Sequence, residues 1–289
     1  MQGMQSGRNG DPGASLLPDI AAERFEAAAW ADLVAAAPPA AAAQAGIAVV
    51  AFDGVTLCTA PGLPSPEFNR AVGVGADGAD PPEATLDAVI SGLRAGAPGT
   101  SVVQVVDRPE NAGLLTRLAA RGLTRTLRPW VVLTRAADAI PPAPTRLAVR
   151  RIGPPEAAAA GRVFSRGYGL PSFFDDWAAA LVGRPGWSAC AAFDGPDMVA
   201  VAFLFRRGGR AMLGGAATLP AARGRGAQRA LMRLRLKEAR AAGATVVQTH
   251  TGLPVGDGRN PSLDNMLAMG FRPAHVRRNL LLPARTGGA

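Results

Sequence analysis

Between Ala211 and Gly252 the chain runs from an apolar stretch into Arg223-Gly224-Arg225-Gly226-Ala227-Gln228, then a helical repeat studded with arginine, then a second apolar stretch. AMLGGAATLP reads as a strand of small residues. From Ala227 one side carries Ala227, Ala230, Leu231, Leu234 and Ala241, and the opposite side carries Arg229, Arg233, Lys237 and Arg240. Gly243 is a natural stop, and ATVVQTHT follows as a β-branched strand. The unit is therefore strand, glycine-rich turn, helix, strand. Gly224 and Gly226 let successive N–H groups converge, the helix adds its orphan donors and the positive end of its dipole, and Arg223 and Arg225 add charge. Such a turn suits a pyrophosphate. It has no Gly-Lys-Ser/Thr ending, and Arg229 stands where a dinucleotide fingerprint needs its third glycine. On the loop alone, an ordinary basic βα turn in an arginine-rich chain is an equal reading.

Charge is divided unevenly. Up to Thr145 there are 10 arginines against 14 acidic residues; from Arg146 onward there are 21 basic against 8 acidic, which makes the second part the anion-binding one. Lys237 is the only lysine, a bias that discounts arginine counts as functional signals. Nucleic acid is not the expected partner, because aromatics make up only 5% of the chain and the usual interleaving is thin. Cys58 and Cys190 lie far apart without metal-ligand spacing, so they read as free thiols of a reducing cytoplasm, and no metal is expected. No charged start with an apolar core and cleavage site opens the chain, and no apolar run is long enough to span a bilayer, so no membrane is expected.

The 289 residues fit two units. Residues 1–14 are polar and glycine-rich and are expected to be disordered. Residues 15–135 read as helix AAERFEAAAWADLVAAA, a hairpin turned at Asp53-Gly54, strand FNRAVGVG, helix ATLDAVISGLRAG, strand SVVQVV, helix PENAGLLTRLAARG and strand RPWVVLTR. The proline-rich stretch 136–145 reads as a linker. Residues 146–289 give the order β-α-α-β-β-β-α-β-α-β, with Tyr168 in the loop RGYGLPS, Ser172 as a cap of a short aromatic helix, and Asn260 with Pro261 opening the last helix before Gly270.

RGRGAQRAL between a strand ending TLP and an arginine-studded helix, followed by a strand and NMLAMGF, resembles the GNAT superfamily of acyl-CoA-dependent N-acetyltransferases over residues 146–282. The resemblance implies an α+β fold, a mixed and mostly antiparallel sheet flanked by helices, with residues 15–135 similar to a second, degenerate copy. It implies acetyl-CoA as cosubstrate and an amine-bearing acceptor as partner. Arg223 and Gly226 match the first and fourth positions of the family's pyrophosphate loop, while Gln228 replaces the expected Gly or Ala at the sixth. The coenzyme set so implied is Arg223, Gly224, Arg225, Gly226, Ala227, Gln228 and Arg229, with Ala216, Ala217 and Thr218 lying along the pantetheine arm and Asn260 and Asn265 near the last helix. In the first half the corresponding loop is ADGADPPEATLD, whose Asp77, Asp80, Glu83 and Asp87 are expected to repel a pyrophosphate.

Acetyl transfer to an amine needs a held thioester, a neutral nitrogen, an oxyanion donor and a proton for the leaving thiolate. The family's tyrosine four residues before the terminal Gly-Phe is Met266 here, so Tyr168, the chain's only tyrosine, is the substitute acid, against the alternative of a loop aromatic resting on the surface. His250 falls where the family's central strands part and can act as base or relay; a structural histidine is the alternative. The expected reaction is direct acetyl transfer from acetyl-CoA to a primary amine in a ternary complex. A non-catalytic acyl-CoA-binding module is the second reading and a nucleic-acid binder the third.

Overall fold

The computed structural model describes residues 20–97 and 99–284; the expected disordered start, 1–14, lies outside them. The first half runs α1 (Ile20–Ala35), α2 (Pro39–Ala45), β1 (Ala48–Phe52), β2 (Val55–Thr59), β3 (Arg70–Val74), α3 (Glu83–Ala95), β4 (Val102–Val106), α4 (Ala112–Ala120) and β5 (Arg125–Ala136). The second runs β6 (Ala148–Ile152), α5 (Ala157–Tyr168), α6 (Phe173–Ala179), β7 (Trp187–Asp194), β8 (Asp197–Arg207), β9 (Arg210–Thr218), α7 (Ala227–Ala241), β10 (Val246–Gly252), α8 (Pro261–Ala268) and β11 (Arg272–Leu281).

Local chemistry explains several boundaries. Asp53 and Gly54 both have positive φ, the requirement of a two-residue hairpin turn between β1 and β2. Asn260 caps α8 by accepting from Ser262 N–H at 3.0 Å. Ser172 precedes α6 without a capping bond, because its backbone is already helical and Phe174 N–H reaches Pro171 O instead. Tyr168 is the last residue of α5 and not part of a loop, since Gly169 in the left-handed region ends the helix one residue later. On α7, Ala241 is exposed, while Arg235 and Leu236 are buried.

All eleven strands form one sheet in the order β1-β2-β3-β4-β11-β5-β10-β9-β8-β7-β6. Among the described residues, only β3–β4 and β9–β10 are parallel. Three antiparallel-paired strands in the first half (β1–β3) and four in the second (β6–β9) are followed by a helix, the parallel partner, a helix and a last strand. The last strands are exchanged: β5 pairs with β10, β11 pairs with β4, and β5 and β11 pair with each other at the centre. Helices α1, α2, α5 and α6 bury their apolar sides in one cluster with Phe68, Trp187 and Phe203. The other face carries α3 and α4 over Val103, Val105 and Leu280, and α7 and α8 over Leu133, Leu204 and Val247. Along β11, Arg277 and Asn279 turn toward the α1 side while Val276 and Leu280 turn toward the other, as strand alternation requires. Among the described residues, no helix is long and apolar enough to cross a membrane.

Candidate active site

The β9–β10 ladder holds only from Val246 opposite Arg210 to Gln248 opposite Met212. Beyond it β9 continues on β8 and β10 continues on β5, so the two strands part and open a passage through the sheet. The parting is built into β9, which bulges between Leu213 and Ala216. Arg235, buried in α7, donates to Phe203 O at 2.9 Å and Gly214 O at 3.2 Å and so fixes the bulge. Gly215 is required there: a Cβ would lie 2.5 Å from the Phe164 ring.

A cavity of about 1330 Å³ passes through this gap. On the α7 side its walls include Arg223, Gly224, Gly226, Ala227, Gln228 and Arg229, then Ser262, Asn265 and Met266. Gly224 and Gly226 both have positive φ, and Ala230 N–H makes the first turn's bond to Gly226 O at 3.1 Å, so the N–H groups of Ala227, Gln228 and Arg229 are the helix's orphan donors. Arg223 donates to Thr218 O and Gly167 O at 3.3 and 3.2 Å, which seats it over the end of β9. Gln228 bridges helices, donating to Ser262 Oγ at 2.8 Å and accepting from Asn265 at 2.7 Å. That gives a physical account of a glutamine at this position. Ala216, Ala217 and Thr218 line the passage.

Two residues of the expected coenzyme set lie elsewhere. Arg225 turns to Asp194, with N–O distances of 2.6 and 2.9 Å, so its charge is spent on an ion pair. Asn260 is occupied with Ser262 N–H and with donating to Thr251 Oγ1 and Gly252 O. The segment before β6 also grips the loop: Thr145 Oγ1 donates to Arg225 O at 2.7 Å, and a Cβ on Gly226 would meet Pro144 O at 2.9 Å. In the first half, Asp80, Glu83 and Asp87 are paired with Arg117 of α4 and with Arg121 just after it, so internal ion pairs occupy that helix start.

On the α1 side the cavity meets Tyr168, His250 and Glu67. Tyr168 is 54% exposed, and its hydroxyl accepts from Ala216 N–H at 3.3 Å, which leaves its own hydrogen free to be donated. Although the residue is open to the cavity, desolvation of its hydroxyl against the sheet raises its pKa. His250 stacks on Trp130 at 5.3 Å, with Nδ1 3.4 Å from Glu26 and Nε2 3.5 Å from Glu67. Burial alone would lower its pKa, but the Glu26 and Glu67 carboxylates outweigh that and push it up to about 9. With that pKa its proton is in place at neutral pH, which suits it to balance the charge of Glu67 more than to act as a base.

Glu67, whose side chain is 36% exposed, is the carboxylate that faces the cavity. Burial raises its pKa, yet Arg70 and His250 prevail and hold it below the usual range. Its loop is fixed from beneath: Asn69 donates to Leu63 O at 2.8 Å and accepts from Ala60 N–H at 2.8 Å, and Ser65 Oγ accepts from Glu67 N–H at 3.2 Å. The sequence offers only a modest signal for this residue, an acid in SPEFN, a Ser-initiated turn before a strand.

Because the folded pKa of His250 lies above its unfolded value of about 6.5, the stability it contributes is full below about pH 6.5 and is lost as pH rises through about 9. The loss amounts to roughly 3 kcal/mol. Urea unfolding at pH 6 and pH 9.5 should show this decline in the unaltered protein and lack it in His250→Gln. Cys58 and Cys190, whose burial raises their pKa, titrate in both proteins and cancel in the difference.

Family models give no match to the sequence. A search of curated proteins gives none either. Solved structures do match. A GCN5-related N-acetyltransferase from Kribbella flavida superposes with a TM-score of 0.58 at 15% identity, over 92% of this chain and 96% of that one. One from Sphaerobacter thermophilus gives 0.55 at 17% identity over 80% and 82%. A tandem GNAT protein from the clavulanic acid biosynthesis pathway gives 0.51 at 17% identity over 89% and 94%. With the parted central strands and the loop at the start of α7, these likenesses show that the chain has the fold of the GCN5-related N-acetyltransferases in tandem form.

Proposed function

We propose that the protein is an acetyl-CoA-dependent N-acetyltransferase that moves an acetyl group to the primary amine of an acceptor by direct attack in a ternary complex. The observation that carries this reading is one continuous cavity joining the α7 helix start to Glu67, His250 and Tyr168 through the gap between β9 and β10. Orphan N–H groups of Ala227 to Arg229 with Arg223 and Arg229 suit a pyrophosphate, and the small side chains of Gly214 to Ala217 leave room for a pantetheine arm. Bound there, acetyl-CoA supplies a thioester carbon: the acceptor's ammonium first loses one proton to solvent, the neutral nitrogen then bonds to the carbon as the carbon–sulfur bond breaks, the nitrogen gives up a second proton and the thiolate gains one. Glu67 takes the proton from the nitrogen, which becomes acidic as it bonds to carbon. Tyr168 gives its hydroxyl proton to the thiolate. His250 positions Glu67 and balances its charge. Two buried free thiols are in keeping with a cytoplasmic setting.

The test is a pair of glycine variants. Gly224 has φ +76° and open space where a Cβ would sit, so Gly224→Val strains one residue by about 1 to 2 kcal/mol and puts a branched side chain into the cavity beside the helix start, where the pyrophosphate is proposed to lie. Losing two charge-assisted hydrogen bonds should weaken acetyl-CoA binding at least about a hundredfold. Gly226→Val collides with Pro144 O and should lower the melting temperature more. Calorimetry with acetyl-CoA decides: undiminished affinity in folded Gly224→Val removes the loop from the site. Binding without turnover of any amine would favour a non-catalytic acyl-CoA-binding module.

A further inference from the structure

The α1 side of the cavity is a chamber that both halves build, and its chemistry is lopsided. The first half brings Trp30 and Phe68, and the second brings Phe164 and Leu170 across from them. The Phe68 ring packs edge-on to Trp30 at 5.7 Å and to Phe174 at 5.4 Å, so the apolar wall is continuous from one half to the other. Within it stands one carboxylate, Glu67, whose contacts to His250 at 3.5 Å and Arg70 at 3.8 Å are long. Those contacts leave it able to accept a further donor. The exposed guanidinium of Arg128, which also lines the cavity, is committed to the carbonyls of Gly252 and Leu253.

We propose that the acceptor is a primary amine carried on a compact apolar body of aromatic size, its nitrogen held by Glu67 and its body by the Trp30, Phe68, Phe164 and Leu170 walls. This rests on the acetyltransferase reading and narrows it. An apolar chamber rewards burial of an apolar body in proportion to the area removed from water. A single carboxylate satisfies one ammonium only, so the further charges of a polyamine, or the hydroxyls and amines of an aminosugar, would be desolvated without partners. The first half, whose own helix start is filled by ion pairs, thereby supplies the acceptor wall and the proton acceptor Glu67 for a thioester held by the second.

Turnover is read by thiol release with the full chain and acetyl-CoA, using 2-phenylethylamine, tryptamine, spermidine, free lysine and glucosamine, beside calorimetric binding of acetyl-CoA alone. Expected are kcat/KM values for the two aryl-alkyl amines at least tenfold above those for the other three. Glu67→Gln should lower turnover of the aryl-alkyl amines about a hundredfold with acetyl-CoA affinity unchanged. Leu170→Trp should raise the KM for tryptamine with the same affinity retained. Equal or better turnover of spermidine, lysine or glucosamine overturns the proposal, as does full activity in Glu67→Gln. Tight acetyl-CoA binding with no turnover of either aryl-alkyl amine overturns it too. Failure of the unaltered chain to bind acetyl-CoA at all instead removes the acetyltransferase reading, and the acceptor assignment falls with it.

Discussion

Replacing Arg277 with leucine is expected to cost the fold about 3 to 5 kcal/mol at neutral pH, the range for removing one partner of a buried ion network. Arg277 is wholly buried on β11. It donates Nε to Glu23 at 2.8 Å and Nη1 and Nη2 to Glu26 at 3.0 and 2.8 Å. For both carboxyls burial is the largest influence and acts upward, and Arg277 is the largest of those acting downward; the balance holds both below the usual range. Remove the guanidinium and burial has the stronger claim. In the unaltered protein these carboxylates contribute stability above about pH 4.5 that is lost as pH falls through their lowered folded values. In Arg277→Leu they are driven toward their neutral forms, which favours folding at low pH and opposes it as pH rises. The two stability curves should therefore converge on acidification. Urea unfolding at pH 7 and pH 4 measures the gap, and an equal gap at both would show that Arg277 acts by packing alone. Glu26 also holds His250, so the variant is expected to disturb the acceptor chamber.

What could be read in the sequence was local. The loop at Arg223 to Gln228, the hairpin at Asp53-Gly54 and the cap at Asn260 each depend on neighbours within a few residues, where glycine dihedrals and side-chain caps act. Glu67 could not be read that way, because what makes it functional is His250, brought beside it by the sheet. Arg235, Arg70 and Arg277 were hidden differently. In a chain whose positive charge is nearly all arginine, no count separates a solvated arginine from one that pins a bulge, sits between Trp30 and Trp130, or anchors two carboxylates. The alternation of β5 and β11 announced strands, but not which strands they pair with. Period two fixes the face a residue points to and is silent on the neighbour.

That silence concealed the feature with the largest consequence for stability, and a cut in the chain tests it. If the two halves are produced as separate polypeptides divided between Ala139 and Ile140, neither is expected to fold alone. In the first half, β5 loses both its partners, β10 and β11; in the second, β11 loses both of its own, β4 and β5. Val131, Val132 and Leu133 on β5 and Leu280 and Leu281 on β11 are all buried in the intact sheet. At about 1.5 to 3 kcal/mol for each side chain, exposing the three on β5 costs the first half roughly 7 kcal/mol and exposing the two on β11 costs the second roughly 5, each comparable with the whole stability of a domain at about 5 to 15 kcal/mol. The charged network adds to the loss, because Glu23 and Glu26 belong to the first half and Arg277, His250 and His275 to the second. Mixed or co-produced halves should recover one cooperative unfolding transition, since the cut leaves every strand pairing available. Circular dichroism and proteolysis of each half alone supply the measurement. A cooperative melt from either isolated half would mean that its last strand can return to its own sheet, and that the exchange is an arrangement the chain can abandon.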